Sequence, residues 1–178
     1  QLDEAPEEDP TTETIQETAK ALSAGKIVAW YQGNGEIGPR ALGNRSILFN
    51  PAVPNGKDII NKVKNREYYR PFGASVLAEF KDEIFDELPD NPYMLYVGNV
   101  KSNNLESITH VDRTCRAQTV KEGIFYNLLQ EFYNITGCPV LLNTSLNIAG
   151  KPIAGYKQNA IDLYNDSDID MLVIGNTI

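Results

Sequence analysis

Helix-like and strand-like segments alternate along this chain of 178 residues, which predicts an α/β sheet domain. Three observations carry that expectation. Short apolar runs recur at Ile27–Tyr31, Ser46–Phe49, Phe72–Leu77, Pro139–Leu142 and Met171–Ile174. Between several of them, apolar residues repeat at helical spacing. The length suits one domain, and a hydrophobic content of 42% is enough for a core.

Residues 1–10 are acidic and contain proline, so they read as a linker or frayed terminus, with the domain proper at 11–178. A helix follows. Thr14 and Glu17 have capping-box spacing, Ile15, Ala19 and Leu22 share a face, and Gly25 supplies a stop. Ile27–Tyr31 is a buried strand that opens into a glycine-bearing loop, 33–43. Ser46–Phe49 is a second strand, ended by Asn50-Pro51. Residues 57–66 form a helix with Ile59, Ile60 and Val63 on one side and lysines on the other. Phe72–Leu77 is a strand, and 81–88 a short acidic helix closed by Pro89.

Tyr93–Val100 is a further strand, Ser102–Leu105 a polar loop, and His110–Val120 extended. Residues 123–136 form an amphipathic helix with Ile124, Leu128, Leu129 and Phe132 on one face and Gly137 as its stop. Pro139–Leu142 is a strand that enters Asn143-Thr144-Ser145. Residues 157–165 are helical, and Met171–Ile174 is the last strand.

Several function classes are disfavoured by composition. No apolar run approaches the roughly 20 residues that span a bilayer, and no signal peptide is visible, so a cytoplasmic protein without membrane contact is expected. The start at Gln1 rather than Met reads as an excised domain or processed chain. A net charge of -8 argues against general nucleic-acid binding. Cys115 and Cys138 make neither a disulfide framework nor a metal clip. With His110 as the one histidine, no site in this chain can use two histidines to hold a metal.

The basic residues are concentrated. Arg40, Arg45, Lys57, Lys62, Lys64, Arg66 and Arg70 are seven of the sixteen and lie within 31 residues, opposed there by Asp58 and Glu67 alone. Such a run is either a solvated face or an anion site inside an acidic protein.

Four segments carry candidate chemistry. Residues 33–46 combine glycines and Pro39 with Arg40, Asn44, Arg45 and Ser46, a guanidinium and neutral donors suited to phosphate. It is not a Walker A loop, and a tight turn with a surface arginine is the plainer reading. Residues 62–72 place Lys64, Arg66 and Arg70 where helix gives way to strand; those cations would repel unless an anion or acid lies between them. Residues 109–116 put His110, Asp112 and Arg116 on one face if extended. Residues 139–152 deliver Asn143, Thr144, Ser145 and Asn147 from an apolar strand, as ligand groups or as a helix cap. No serine or cysteine nucleophile with a base stands out. The recurring groups suit positioning and electrostatics on phosphates.

Taken in order, Gly38-Pro-Arg-Ala-Leu-Gly-Asn-Arg-Ser46, Arg70-Pro-Phe72, Thr109-His-Val-Asp112 and Leu142-Asn-Thr-Ser145 resemble the C-terminal domain of the NodU/CmcH-type O-carbamoyltransferases, from about Thr14 to Gly175. That domain is similar to the YrdC/Sua5 fold, a twisted mixed sheet with flanking helices. Ala21–Ala29, Lys64-Asn-Arg66 and Asn143–Gly150 are local echoes of it. The resemblance implies a two-step reaction: carbamoyl phosphate and ATP give carbamoyl-adenylate and pyrophosphate, and an acceptor hydroxyl then takes the carbamoyl group. The second step is implied to belong to an N-terminal Kae1-like domain that holds metal.

Carried over by motif, the resemblance implicates Arg40, Lys64, Arg70, Arg116 and Ser145 in catalysis on carbamoyl phosphate and nucleotide. Arg45, Arg66, His110, Asn143, Thr144 and Asn147 are implied further nucleotide-binding candidates; of the loop's two arginines, Arg40 is the first choice for the site and Arg45 the more structural. Slips of one or two residues would substitute Lys62 or Asn65 for Lys64. Mg²⁺ is expected to accompany ATP through phosphate oxygens, with no metal held by this chain. Asp112-Arg113-Thr-Cys115 departs from the family's usual small-residue pattern. A homodimer stays open. The alternative is a YrdC/Sua5-like tRNA-modification or non-catalytic nucleotide-binding module.

Overall fold

The computed structural model describes residues 4–178, so the expectation for residues 1–3 lies outside it. Eight strands form one mixed sheet in the order β4-β5-β6-β3-β7-β2-β1-β8. They are β1 (Val28–Tyr31), β2 (Arg45–Phe49), β3 (Gly73–Leu77), β4 (Phe85–Asp86), β5 (Val97–Val100), β6 (Thr114–Val120), β7 (Val140–Ser145) and β8 (Met171–Ile174). Five α-helices flank them: α1 (Thr12–Ser23), α2 (Gly56–Lys64), α3 (Lys81–Ile84), α4 (Ile124–Thr136) and α5 (Lys157–Asn165). The β1–β8 and β3–β6 pairs are parallel and the rest antiparallel.

Alternation along the strands separates two buried clusters. Val28, Trp30, Leu48, Leu77 and Leu141 join the apolar faces of α1 and α4, through Ile15, Leu22, Leu128, Leu129 and Phe132. Ala29, Tyr31, Ile47, Phe49, Val76 and Leu142 join residues of α2 and α5 instead, among them Ile60, Val63, Ala160 and Leu163. With helices on both faces, inner strands are buried on both sides: every residue of β1 and of β2 is buried, Arg45 and Ser46 included.

The strand register gathers several strand ends. Gly73 at the start of β3 is level with Arg116 on β6 and Asn143 on β7. Ser46 at the start of β2 is level with Ser145 at the end of β7. The 33–44 loop joins the end of β1 to the start of β2, and α2 runs towards the start of β3. Three of the four candidate segments therefore reach one end of the sheet, where the fourth, through Arg116, meets them.

Some boundaries differ from expectation for identifiable reasons. Helix α1 is capped by Thr11, whose hydroxyl accepts from Thr14 N–H at 3.3 Å, and Thr14 Oγ1 instead donates to Asn176 Oδ1 at 2.6 Å. The expected helix over 81–88 stops at Ile84, because Phe85 and Asp86 pair with Val100 and Asn99. Strand β5 begins only at Val97; residues before it wrap around the buried Asn91 amide, which donates to Tyr96 O and Ala117 O and accepts from Leu95 N–H. His110–Arg113 is a turn rather than strand, with Arg113 at φ 65. Residues 4–8 make contacts with the domain. Glu4 N–H donates to Gly155 O, Glu4 O accepts from Tyr31 and Arg45, and Glu8 O lies where a Cβ on Gly175 would fall. Among the described residues, no helix is long and apolar enough to cross a membrane.

Phe132 is fully buried where α4 packs against α1 and the sheet. Phe132→Ala is expected to cost about 3–5 kcal/mol, through lost burial and the cavity left behind. Urea denaturation of the two proteins checks this as a lowered midpoint.

Candidate anion-binding site

At the gathered strand ends lies a cavity of about 250 Å³, walled by Arg40, Arg66, Arg70, His110 and Arg116, with Asn143, Thr144 and Ser145 along one side. Its lining contains four arginines and no carboxylate. A second hollow of about 440 Å³ shares Pro39 and Ser145 with it and adds Glu36, Asn147 and Pro152–Ala154. Together they have the size of an ordinary small-molecule site.

Each cation arrives by a different route. Arg40 rides on the 33–44 loop, is exposed, and its pKa is lowered by partial burial and then by the neighbouring Arg116 charge. Arg66 follows the end of α2. Its Nε donates to Asn61 Oδ1 at 2.8 Å, Nη2 donates to Pro71 O, and the guanidinium stacks 4.2 Å from the Phe72 ring centroid. Burial, with Arg70 adding to it, lowers its pKa to about 10. Arg70 has one acidic neighbour, Glu67, at 3.8 Å, and both side chains are more than half exposed, so that pair contributes little. Arg116 projects from β6 where β3 and β5 flank it.

Lys64, the last residue of α2, is 4% exposed. Its Nζ donates to Ser145 O at 2.5 Å, Ser145 Oγ at 3.2 Å and Asn147 Oδ1 at 2.6 Å. Desolvation, then Arg66 and Arg70, pull its pKa down to about 7. Lys62 points elsewhere and pairs with Asp168 on the surface at 2.8 Å. Of the register alternatives, Lys64 is the one that reaches Ser145, while Asn65 is the exposed left-handed residue that ends α2.

His110 sits on the turn, not on a strand face with Asp112. Phe72 O can only accept, so His110 Nε2–H donates to it at 3.2 Å. Thr114 Oγ1 lies 3.3 Å from His110 Nδ1 and donates to Asp112 Oδ1 at 2.7 Å. In the neutral ring Nδ1 carries no proton, and the one hydroxyl hydrogen of Thr114 goes to Asp112, so Asp112 stands beside the imidazole without a hydrogen-bond relay to it. Burial lowers the His110 pKa, favouring the neutral ring.

Arg45 is placed as the structural one of the loop's two arginines, away from the nucleotide-binding role that the resemblance implied for it. It is fully buried and absent from the cavity wall. Its Nη1 donates to Gln32 O, Gly33 O and Asn44 O, its Nη2 to Glu4 O and Gly33 O, and it stacks 3.6 Å from the Tyr31 ring centroid. It is a structural cation that ties the base of the loop to residue 4. Nor do Asn143 and Ser145 cap a helix, since β7 continues through Ser145. Asn143 is 2% exposed and donates to Ala41 O and Ser75 Oγ.

Two groups escaped sequence reasoning. Met94 lines the cavity, its sulfur 3.3 Å from where a Cβ on Gly73 would stand. Glu36 Oε1 accepts the N–H groups of Leu42, Asn44 and Arg45 at 2.7, 2.9 and 3.2 Å. A lone acid amid glycines was the available signal for Glu36; nothing local pointed to Met94.

The carbamoyltransferase C-terminus family model matches residues 19–178. The chain belongs to that family. Nodulation protein NolNO of Sinorhizobium fredii is 44% identical over 169 residues, which are 89% of this chain and 25% of that protein. The 3'-hydroxymethylcephem-O-carbamoyltransferase of Amycolatopsis lactamdurans is 39% identical, over 90% of this chain and 32% of that protein. The chain thus spans a third or less of these curated relatives' lengths. Full-length HypF in a phosphate- and nucleotide-bound form shares the fold at TM-score 0.69 and 21% identity, over 91% of this chain and 25% of HypF. P. abyssi Sua5 complexed with L-threonine also gives TM-score 0.69, at 17% identity, over 94% of this chain and 48% of Sua5. The carbamoyltransferase domain therefore has the YrdC/Sua5-like α/β fold.

Two outcomes follow from the site chemistry. Arg45→Lys replaces a planar fork by a point donor and leaves buried carbonyls unmatched, so thermal unfolding should show a loss of about 1.5–3 kcal/mol. Lys64 lies off the lining of both hollows, behind Ser145; an anion in the cavity would favour its ammonium and raise the pKa from about 7 towards its ordinary value. Binding between the two values then takes up a proton, so affinity falls as pH rises above 7. Calorimetry at pH 8 in buffers of different ionisation enthalpy should show the uptake, and Lys64→Met should abolish it.

Proposed function

We propose that this domain binds ATP and carbamoyl phosphate and forms carbamoyl-adenylate, which an accompanying Kae1-like domain uses to carbamoylate an acceptor hydroxyl. The observation that carries the reading is the cavity wall of four arginines without a carboxylate, in a chain whose net charge is -8. Four guanidiniums converging on one cavity, with only the exposed Arg70 facing an acid outside the wall, suit a multiply charged ligand with phosphate geometry. Family membership supports carbamoyl transfer as the chemistry, and the adjoining hollow supplies space for the rest of a nucleotide.

The residues would share the work as follows. Arg40, Arg66, Arg70 and Arg116 neutralise the phosphates of both substrates. Ser145 and Thr144 offer hydroxyls to phosphoryl or carbamoyl oxygens. Lys64 reinforces the positive potential behind Ser145. Atoms balance when water takes the phosphoryl group of carbamoyl phosphate, releasing phosphate and carbamate. A carbamate oxygen then bonds to the α-phosphorus of ATP, and the bond to pyrophosphate breaks. Neutral His110, with its Nε2–H held by Phe72 O, is a positioning group beside Arg116 rather than a nucleophile. Mg²⁺ would arrive on the nucleotide's own phosphate oxygens, since the wall offers it no carboxylate.

An apolar fringe supports a second domain over the mouth. Tyr68, Tyr69, Tyr93, Leu95 and Tyr96 are each at least 55% exposed and flank Arg66, Arg70 and Met94 in the chain.

Titration calorimetry tests the reading. The wild-type protein should bind ATP and carbamoyl phosphate, and Arg40→Ala and Arg70→Ala should each weaken binding about tenfold or more. No binding by the wild type overturns the function, and unchanged affinity in both variants overturns the site.

A further inference from the structure

Arg40 has to be held where Arg116 repels it. It has no ion-pair partner among the described residues, is exposed, and sits in a loop without helix or strand. Left to itself, such a side chain moves out into water. The backbone beneath it is nevertheless fastened from both sides. The N–H groups of Leu42, Asn44 and Arg45 converge on Glu36 Oε1 at 2.7–3.2 Å. From the opposite side, Asn143 Nδ2 donates to Ala41 O at 3.2 Å and Gln118 Nε2 donates to Leu42 O at 2.9 Å. Ser75 Oγ donates to Gln118 Oε1 at 2.9 Å while accepting from Asn143 Nδ2, which fixes both amides in that orientation.

Only an acceptor can gather three N–H groups, and Glu36 is the residue that does so. Gly43, at φ +107 and with the Phe125 ring 2.3 Å from where a Cβ would lie, allows the chain to fold down onto it. Among the described residues Glu36 forms no ion pair with the site cations. Its effect on the site therefore runs through the backbone rather than through direct charge pairing.

We propose that Glu36 is a positioning residue: its carboxylate is the template on which residues 42–45 fold, and through them it holds Arg40 against Arg116 in the anion site. The proposal rests on the anion-site reading for its effect on binding, while its effect on the loop stands independently.

The test combines two readouts on wild type, Glu36→Gln, Glu36→Ala, Arg40→Ala and the Glu36→Ala/Arg40→Ala pair. The first is amide hydrogen exchange at Leu42, Asn44 and Arg45. The second is calorimetry with carbamoyl phosphate and with ATP. Glu36→Ala should speed exchange at those amides about tenfold or more and weaken binding as much as Arg40→Ala does. The double variant should bind no more weakly than either single one, because both remove the same contact. Glu36→Gln keeps an acceptor oxygen and should recover half or more of the lost affinity. Additive losses, or unchanged exchange and affinity in a folded Glu36→Ala, overturn the proposal. If Glu36→Ala does not fold, Glu36→Gln decides: it must keep slow exchange at the three amides. If the wild type binds neither probe, the anion-site reading fails, and exchange alone still judges the template.

Discussion

Four guanidiniums around one cavity, without a carboxylate among them, set the terms for the rest of the structure. Two unit charges 4 Å apart repel by about 4 kcal/mol at an effective dielectric near 20, a large fraction of a domain's net stability. The fold bears this in two ways. The guanidiniums stay partly solvated, as the 53% exposed Arg70 side chain does. The hydrogen-bonded anchors of Arg66 and of Lys64 behind the cavity are neutral: Asn61 and Pro71 O for Arg66, and Ser145 and Asn147 for Lys64. Neutral acceptors satisfy N–H donors and leave the net positive charge in place for a ligand.

The same constraint separates two arginines five residues apart. Arg45 begins β2 and points into the core, where four main-chain carbonyls surround it and the Tyr31 ring faces its guanidinium. Arg40, before the strand, has no such cage and stands at the cavity. One holds the loop's base, and the other is what the loop presents. A buried arginine satisfied by carbonyls keeps its charge without exporting it to the site.

Much of the fold was legible in the sequence because apolar periodicity reports burial directly. Residues 157–165 and Met171–Ile174 match α5 and β8 to the residue, and Gly137 ends α4 at φ 69 as its position implied. The failures have a common cause. Phe85–Asp86 became strand because Val100 and Asn99 were there to pair with, and Tyr93–Tyr96 became a turn because Asn91 organises it. Both depend on partners further along the chain, which for Asn91 is the Ala117 carbonyl on β6. At the cavity, which segments would meet was legible, since those rich in Arg, Asn and Ser line it together. Direction was not. That Lys64 points inward while Lys62 pairs with Asp168 depends on the rotation of α2 against β7, and Arg113 at φ 65 turned a supposed strand face into a corner.

The loop's supports show why neutral groups recur here. A carboxylate free to rotate near the cavity would pair with an arginine and compete with any anionic ligand. Gln118, Ser75 and Asn143 avoid this, forming a buried relay that grips the loop's carbonyls without charge. Glu36 is the exception that has to be reconciled, because it carries a charge beside the site. Three backbone N–H groups on one oxygen supply the reconciliation. They orient that oxygen inward on the loop, and their partial positive charges offset part of its own. A carboxylate with one oxygen taken up by three amides can therefore stand beside a cationic cavity without pairing with its arginines.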